Sequence, residues 1–229
     1  MAIGNLHSEW QRLGLAVAIA GEAWDGILAR LSAAYSAPGR HYHTLEHIDE
    51  LLAHYAAFAP ADPAAAGIDG AAFRLAIFFH DAVYDVRAKD NEEKSAELLD
   101  TELRSVGVAV PVIERGRRYV MATKHLGGGP RALEPDAAFF ADLDLAILAA
   151  PPERYRRYAR DIRREYAIYD DLTYAKGRAG ALRTLAGGAA IFTTAGRMPG
   201  VPPPWEAAAR ANLTSELEAL EQSSARPPS

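Results

Sequence analysis

Apolar residues recur three and four positions apart through nearly every segment of this chain, and alternating runs of Val, Ile, Thr and aromatic residues are missing. A chain patterned in this way buries its hydrophobic stripes by packing helix on helix, so the pattern predicts an all-α fold, a helical bundle. Breakers divide it at Ala37-Pro38-Gly39, Ala59–Gly70, Gly107–Pro111, Gly127–Pro130, Pro151-Pro152 and Gly196–Pro204. Between them the spacing predicts helices over 8–35, 44–58, 71–85, 91–105, 112–125, 136–149, 152–168, 173–192 and 205–222. No internal repeat or composition shift marks a linker, and the expectation is one helical domain over 1–222 followed by a disordered tail over 223–229. With 229 residues, 49% of them hydrophobic, such a domain can bury one sizeable core.

Composition matters next because it limits the chemistry. There is no cysteine, which removes disulfides, thiolate metal sites, iron–sulfur clusters and a cysteine nucleophile together. Any metal must be held by His nitrogen and carboxylate oxygen. A net charge of −5 does not favour polyanions, so nucleic acid is not an expected partner. No run approaches the roughly 20 apolar residues that span a bilayer, and no membrane partner is expected. Leu13–Ala20 (LGLAVAIA) ends like a signal-peptidase site, but Glu9 and Arg12 leave the preceding segment without net positive charge. The apolar spacing also continues through Trp24, Ile27, Leu28, Leu31 and Tyr35, so the stretch reads as a core helix of a cytoplasmic protein.

Three helices place polar residues on apolar stripes. Thr44 can cap a helix whose inward face carries Ile48, Leu51, Leu52, Tyr55 and Phe58, and His47 lies on that face, one turn before Leu51. His80 stands four residues after Ala76 and three after Ile77, facing the same way, and Asp81 follows it inside Ile77–Tyr84. An ionised Asp in so apolar a run costs several kcal/mol unless a cation or strong donors meet it. Asp144 shares a face with Ala137, Phe140, Ile147 and Leu148, whereas Asp142, about 200° around the helix, is expected to be exposed or to support the ligands from behind. A lone core histidine or aspartate is ordinarily a hydrogen-bonded residue. Four together, His47, His80, Asp81 and Asp144, compose a cage for a divalent cation, with Mn, Fe, Co, Ni, Zn or Mg as the metals that suit such a donor set.

The order His47 … His80-Asp81 … Asp144 resembles the signature of the HD superfamily of metal-dependent phosphohydrolases. Arg40–Ile48 (RHYHTLEHI), Phe79–Asp85 (FHDAVYD) and Asn91–Ala96 (NEEKSA) resemble the R-x-Y-H-x-x-x-H-I, F-H-D-x-V-Y-D and N-E-x-x-S-A motifs of a predicted hydrolase subfamily. Thr123-Lys124-His125, Asp142–Leu145, Arg163–Tyr166, Gly177-Arg178 and Glu206 … Ala209–Leu213 fit as well, so the similarity runs from about Trp10 to Leu217. It implies an all-α HD domain, a metal on those same four residues, and hydrolysis of a phosphate ester in a nucleotide or other small phosphorylated metabolite.

Around that centre several residues are candidates for substrate contact: Arg40 and His43 near the start of the first ligand helix, Arg178 as a bidentate guanidinium, and His125 beside the Gly127–Pro130 loop. For an isolated arginine a surface ion pair is the plain alternative, and for His125 a helix C-terminus. Asp85, read as one turn after Asp81, and Glu92 are the candidates for acid–base work beside Asp81, while Asp90-x-x-Glu93 reads as a capping box. Six arginines in Glu153–Tyr166 form a basic cluster whose default reading is a solvated, ion-paired face. Two rival functions stand beside the hydrolase. One is an HD-type iron oxygenase, disfavoured because His125 alone lies between the His-Asp doublet and Asp144. The other is a non-catalytic domain that binds a nucleotide or a protein and uses the metal as a staple.

Overall fold

The computed structural model describes residues 2–124, 133–197 and 199–224. Ten α helices and one 3₁₀ helix account for its regular structure, and among the described residues there is no strand. In chain order they are α1 (Ala2–Ala16), α2 (Glu22–Tyr35), α3 (Leu45–Phe58), α4 (Gly70–Phe79), α5 (Asn91–Ser105), α6 (Val110–Ala122), α7 (Pro135–Asp144), the 3₁₀ helix (Leu145–Ala149), α8 (Pro152–Glu165), α9 (Asp171–Gly187) and α10 (Pro204–Ser224). The all-α expectation holds. His125, the Gly127–Pro130 loop and residues 225–229 of the expected tail lie outside the described residues.

The helix starts follow local chemistry. Thr44 accepts from the Glu46 amide at 3.3 Å, Asp69 from Ala71 and Ala72 at 3.0 Å each, and Asp170 from Thr173 at 2.8 Å. Prolines 111, 135 and 152 occupy first-turn positions of α6, α7 and α8, where a missing N–H costs nothing. Asp90 begins α5 without a side-chain cap. Its carboxylate pairs with Lys94 and Glu93 pairs with Lys124, so the expected capping box is absent.

Four expected helices are divided or end five or more residues early. The segment 8–35 is two helices, because Ala18 (φ 59°) and Gly21 (φ 95°) turn the chain between them. Gly14 makes the turn possible: a Cβ there would lie 2.7 Å from the Ile19 carbonyl and 2.8 Å from Trp24 Nε1. The hairpin is fastened by Trp10 and Trp24, stacked at 4.3 Å, each indole N–H donating to the other's carbonyl at 3.0 and 3.1 Å. The helix expected over 71–85 ends at Phe79, 136–149 passes into 3₁₀ geometry after Asp144, and α9 stops at Gly187 where 173–192 was expected.

The buried side chains form a cluster running from Leu6 to Leu213, with Phe73, Phe78, Phe79, Phe139 and Phe140 at its centre. The helices α4 and α6 pack together there, with α5 laid across α6, and α10 closes over α9 and the 3₁₀ helix. Among the described residues no helix is long and apolar enough to cross a membrane.

Candidate metal centre

Four side chains from α3, the end of α4 and the end of α7 converge: one ligand atom each of His47, His80, Asp81 and Asp144 lies within 4.8 Å of the others. His47 and His80 are buried and the two aspartates are partly exposed. His80 shows which nitrogen faces the centre. Its Nδ1 lies 2.9 Å from the Ile77 carbonyl, and a carbonyl can only accept, so Nδ1 carries the proton and Nε2 presents a lone pair.

That Nε2 lies 3.1 Å from Asp81 Oδ2, 3.4 Å from Asp144 Oδ1 and 3.1 Å from His47 Nε2. His47 Nε2 lies 3.2 Å from Asp144 Oδ1 and 3.9 Å from Asp81 Oδ2. Two ligands about 2.1 Å from a common cation stand about 3.0 Å apart at a right angle and about 3.4 Å apart at the tetrahedral angle. Four of these five separations fall in that range, so the donor set fits a divalent ion. Electrostatics agree: burial alone would lower the His80 pKa, yet Asp81 and Asp144 raise it well above the ordinary value. The same two carboxylates that favour a proton on Nε2 also favour a dication that displaces it and takes the lone pair.

The end of α4 explains how adjacent residues meet. On a continuing helix His80 and Asp81 would diverge by about 100°. Because the helix stops at Phe79, the chain turns and brings the Asp81 carboxylate back to its neighbour. Arg40 stakes this turn, donating to the carbonyls of Asp81 (2.7 Å), Ala82 (2.9 Å) and His43 (3.2 Å), with its guanidinium over the rings of Tyr35 and Tyr84. Its expected role toward substrate therefore has a competitor in plain view: Arg40 holds the backbone of a ligand.

His43 does face the centre. Its Nε2 is 3.9 Å from Asp81 Oδ2, and its Nδ1 is bound at 2.7 Å to Glu165. Burial disfavours a charged imidazole, but Asp81 and Glu165 outweigh it and raise the His43 pKa. Glu165 is not among the candidate site residues named from the sequence, although the Arg163–Tyr166 motif contains it. Its buried carboxylate also accepts from the amides of His41, Tyr42 and His43 (2.8, 2.8 and 2.9 Å) and from the Tyr84 hydroxyl (2.8 Å). Burial pushes its pKa up, and the His43 bond and charge together with the amides bring it down to about 2. A signal was present, since Tyr155, Tyr158, Ile162 and Glu165 lie on one stripe of α8.

Other expected residues are placed differently. Asp85 is exposed and caps its own turn, accepting from the Arg87 amide at 2.9 Å; the helical register that set it one turn after Asp81 does not exist. Glu92 opens α5 half-buried, its pKa raised by burial, within electrostatic reach of Lys124 and Asp81. Arg178 is the expected bidentate guanidinium, but its fork closes on Glu216 at 2.8 and 3.1 Å and its Nη1 on the Tyr158 hydroxyl at 3.3 Å.

Asp142 corrects the expectation of exposure. It is 2% exposed and accepts from the amides of Thr193 (3.0 Å) and Thr194 (2.7 Å) and from both hydroxyls. Burial raises its pKa and these donors offset part of that rise. In the basic cluster, Arg154 pairs with Glu50, Arg157 with Glu46, Arg163 with Asp171 and Arg164 with Asp161, an ion-paired face.

The class these features define is an all-helical protein with a candidate His₂Asp₂ metal centre. Compared with protein-family models, with curated proteins and with solved structures, the chain gives no match, so the centre rests on its own residues.

Proposed function

We propose that the chain is a divalent-metal-dependent phosphohydrolase of the HD type, acting on a small phosphate ester. The observation that carries this reading is the His80 imidazole, locked by the Ile77 carbonyl so that its lone pair meets a second imidazole and two carboxylates. His47, His80, Asp81 and Asp144 would hold the ion. When bound it supplies charge neutralisation for phosphate and a water whose pKa falls from 15.7 toward roughly 7.

The chain's own residues supply the rest. Glu165 fixes the ring of His43 and keeps a proton on Nδ1, leaving Nε2 directed at the Asp81 side of the centre, where it can contact a phosphoryl oxygen or the leaving group. Arg40 and the Tyr35 hydroxyl, which accepts from the Asp81 amide at 3.2 Å, fix the Asp81 turn. Glu92, half-buried and inclined to keep its proton, is a second proton carrier near Asp81.

Elemental analysis and a phosphate-ester panel on one preparation test the proposal, with Mn, Fe, Co, Ni, Zn and Mg loaded in turn. Metal and turnover are expected together, and both should vanish in His80→Ala and Asp81→Ala. Two irons per chain with oxygen uptake, or a metal-loaded protein that binds phosphate esters and hydrolyses none, would overturn it.

A further inference from the structure

His47 and Asp144 also line a cleft of about 450 Å³, within the roughly 300–1,000 Å³ of small-molecule sites. Its floor is one face of α3, since His47, Glu50, Leu51, His54 and Phe58 fall at i, i+3, i+4, i+7 and i+11. That face extends about 16 Å from the centre at 1.5 Å per residue. At the far end Trp205 meets Phe58 and His54 edge-on, at 5.1 and 5.5 Å, forming an aromatic wall. Burial lowers the His54 pKa, so this wall carries no charge at neutral pH.

Nearer the centre two lining residues carry buried donors without partners. The Tyr42 hydroxyl is buried on a residue 7% exposed, and among the described residues it has no partner; Arg154 Nη1 is in the same condition. With both donors shut away from solvent, the open surface of the cleft is largely apolar. Among the described residues lining the cleft the one Lys or Arg is Arg154, and Glu50 neutralises it with contacts of 2.7 Å. Among the described residues of the lining, a chain of further phosphates would find no other counter-charge.

We infer that this cleft binds the organic half of the substrate, and that this half is a flat, largely apolar ring system carried on a single phosphate. The inference rests on the phosphohydrolase reading and narrows its substrate class to ring-bearing phosphate monoesters, away from nucleoside polyphosphates.

The test uses the metal-loaded full chain and two non-hydrolysable probes, naphthylmethylphosphonate and methylphosphonate. Trp10 and Trp24 are fully buried against each other, so quenching of tryptophan fluorescence by the naphthyl probe reports Trp205. The naphthyl probe should bind about tenfold or more tightly than methylphosphonate, the order expected for burying a ring. Ala149→Phe fills the cleft from the 3₁₀ helix and Trp205→Ala removes the far wall; calorimetry should show each losing most of that difference. In parallel, the ratio of kcat/KM for naphthyl phosphate over glycerol phosphate should fall in both variants. Equal affinity of the two phosphonates, or a nucleoside triphosphate that displaces the naphthyl probe at lower concentration than the probe itself needs, overturns the inference. Cleft-dependent binding with neither ester hydrolysed would sustain the cleft and remove the hydrolase reading alone.

Discussion

Asp142 and Asp144 stand two residues apart at the end of one helix and do opposite work. Asp142 receives two amides and two hydroxyls from Thr193 and Thr194, fastening the loop after α9 to the core. Asp144 turns instead to His47 and His80, which bring ring nitrogens to it. The difference teaches what separates a structural carboxylate from a ligand. Depth separates them only in part, Asp142 being buried and Asp144 partly exposed. What decides it is whether the surroundings deliver amides and hydroxyls, which satisfy the charge, or imidazole lone pairs and other carboxylates, which call for a cation.

Alanine substitutions break the comparison most sharply. Asp142→Ala should cost about 3–5 kcal/mol of stability, because it strands buried donors as well as losing charged hydrogen bonds. Its divalent-metal stoichiometry should be retained under conditions where the protein is folded. Asp144→Ala should do the reverse, weakening metal binding more than about 100-fold while shifting metal-free stability by less than about 1 kcal/mol. Denaturation of the metal-free proteins and metal titration decide it. Equal destabilisation by both substitutions would return Asp144 to the structural class.

Glu165 extends the satisfied class to a site beside the centre, and its charge makes the cost visible in pH. Its folded pKa, about 2, lies below the ordinary 4.5, so between those values the unfolded chain binds a proton that the native chain does not. Its contribution is fully present above pH 4.5 and is lost as pH falls toward 2, about 3 kcal/mol in all. Stability measured down the acid limb should show that loss, and Glu165→Gln should flatten it. Ligand binding measures the other class. Divalent metal at 100 times its dissociation constant should add about 2.7 kcal/mol, a rise of roughly 5–10 °C in Tm. Neither Asp144→Ala nor His80→Ala should show it, and a rise retained in both would place the metal elsewhere.

Much of this arrangement was legible before any coordinates. His47, His80 and Asp144 fall on apolar stripes, and a 3.6-residue repeat records which way a side chain points relative to its own helix. It does not record whether the opposite side is covered too, which is why the pattern sets Asp142, about 200° from Asp144, at the surface or behind the ligands while the structure buries it. Nor does periodicity see a turn that keeps the phase: Trp24 and Ile27 continue the stripe of Leu13 and Val17 although Ala18 and Gly21 reverse the chain. Asp81 reaches its partners because α4 ends at Phe79, before the expected helix does, a tertiary matter of Arg40 gathering the distant carbonyls of Asp81 and Ala82 together with the nearby His43 carbonyl. Glu165 is hidden in the sequence by its company, a buried acid on a helix whose six arginines favour solvent.

The smallest test divides the satisfied carboxylate into its parts. Thr194 is 4% exposed and gives Asp142 its shortest contacts, 2.7 Å from the amide and 2.5 Å from the hydroxyl; Thr193 is exposed and its hydroxyl stands at 3.4 Å. Valine replaces each hydroxyl with a methyl and leaves the amide bonds in place. Thr194→Val should therefore cost about 1.5–3 kcal/mol, the range for a hydrogen bond to a charged group, and Thr193→Val less than about 0.5 kcal/mol. Metal affinity should be the same in both, since these hydroxyls bond Asp142, which is not one of the four candidate ligands. If Thr194→Val weakened metal binding as strongly as it weakened the fold, the fastener and the centre would be one coupled unit, and the contrast between the two aspartates would be of degree alone.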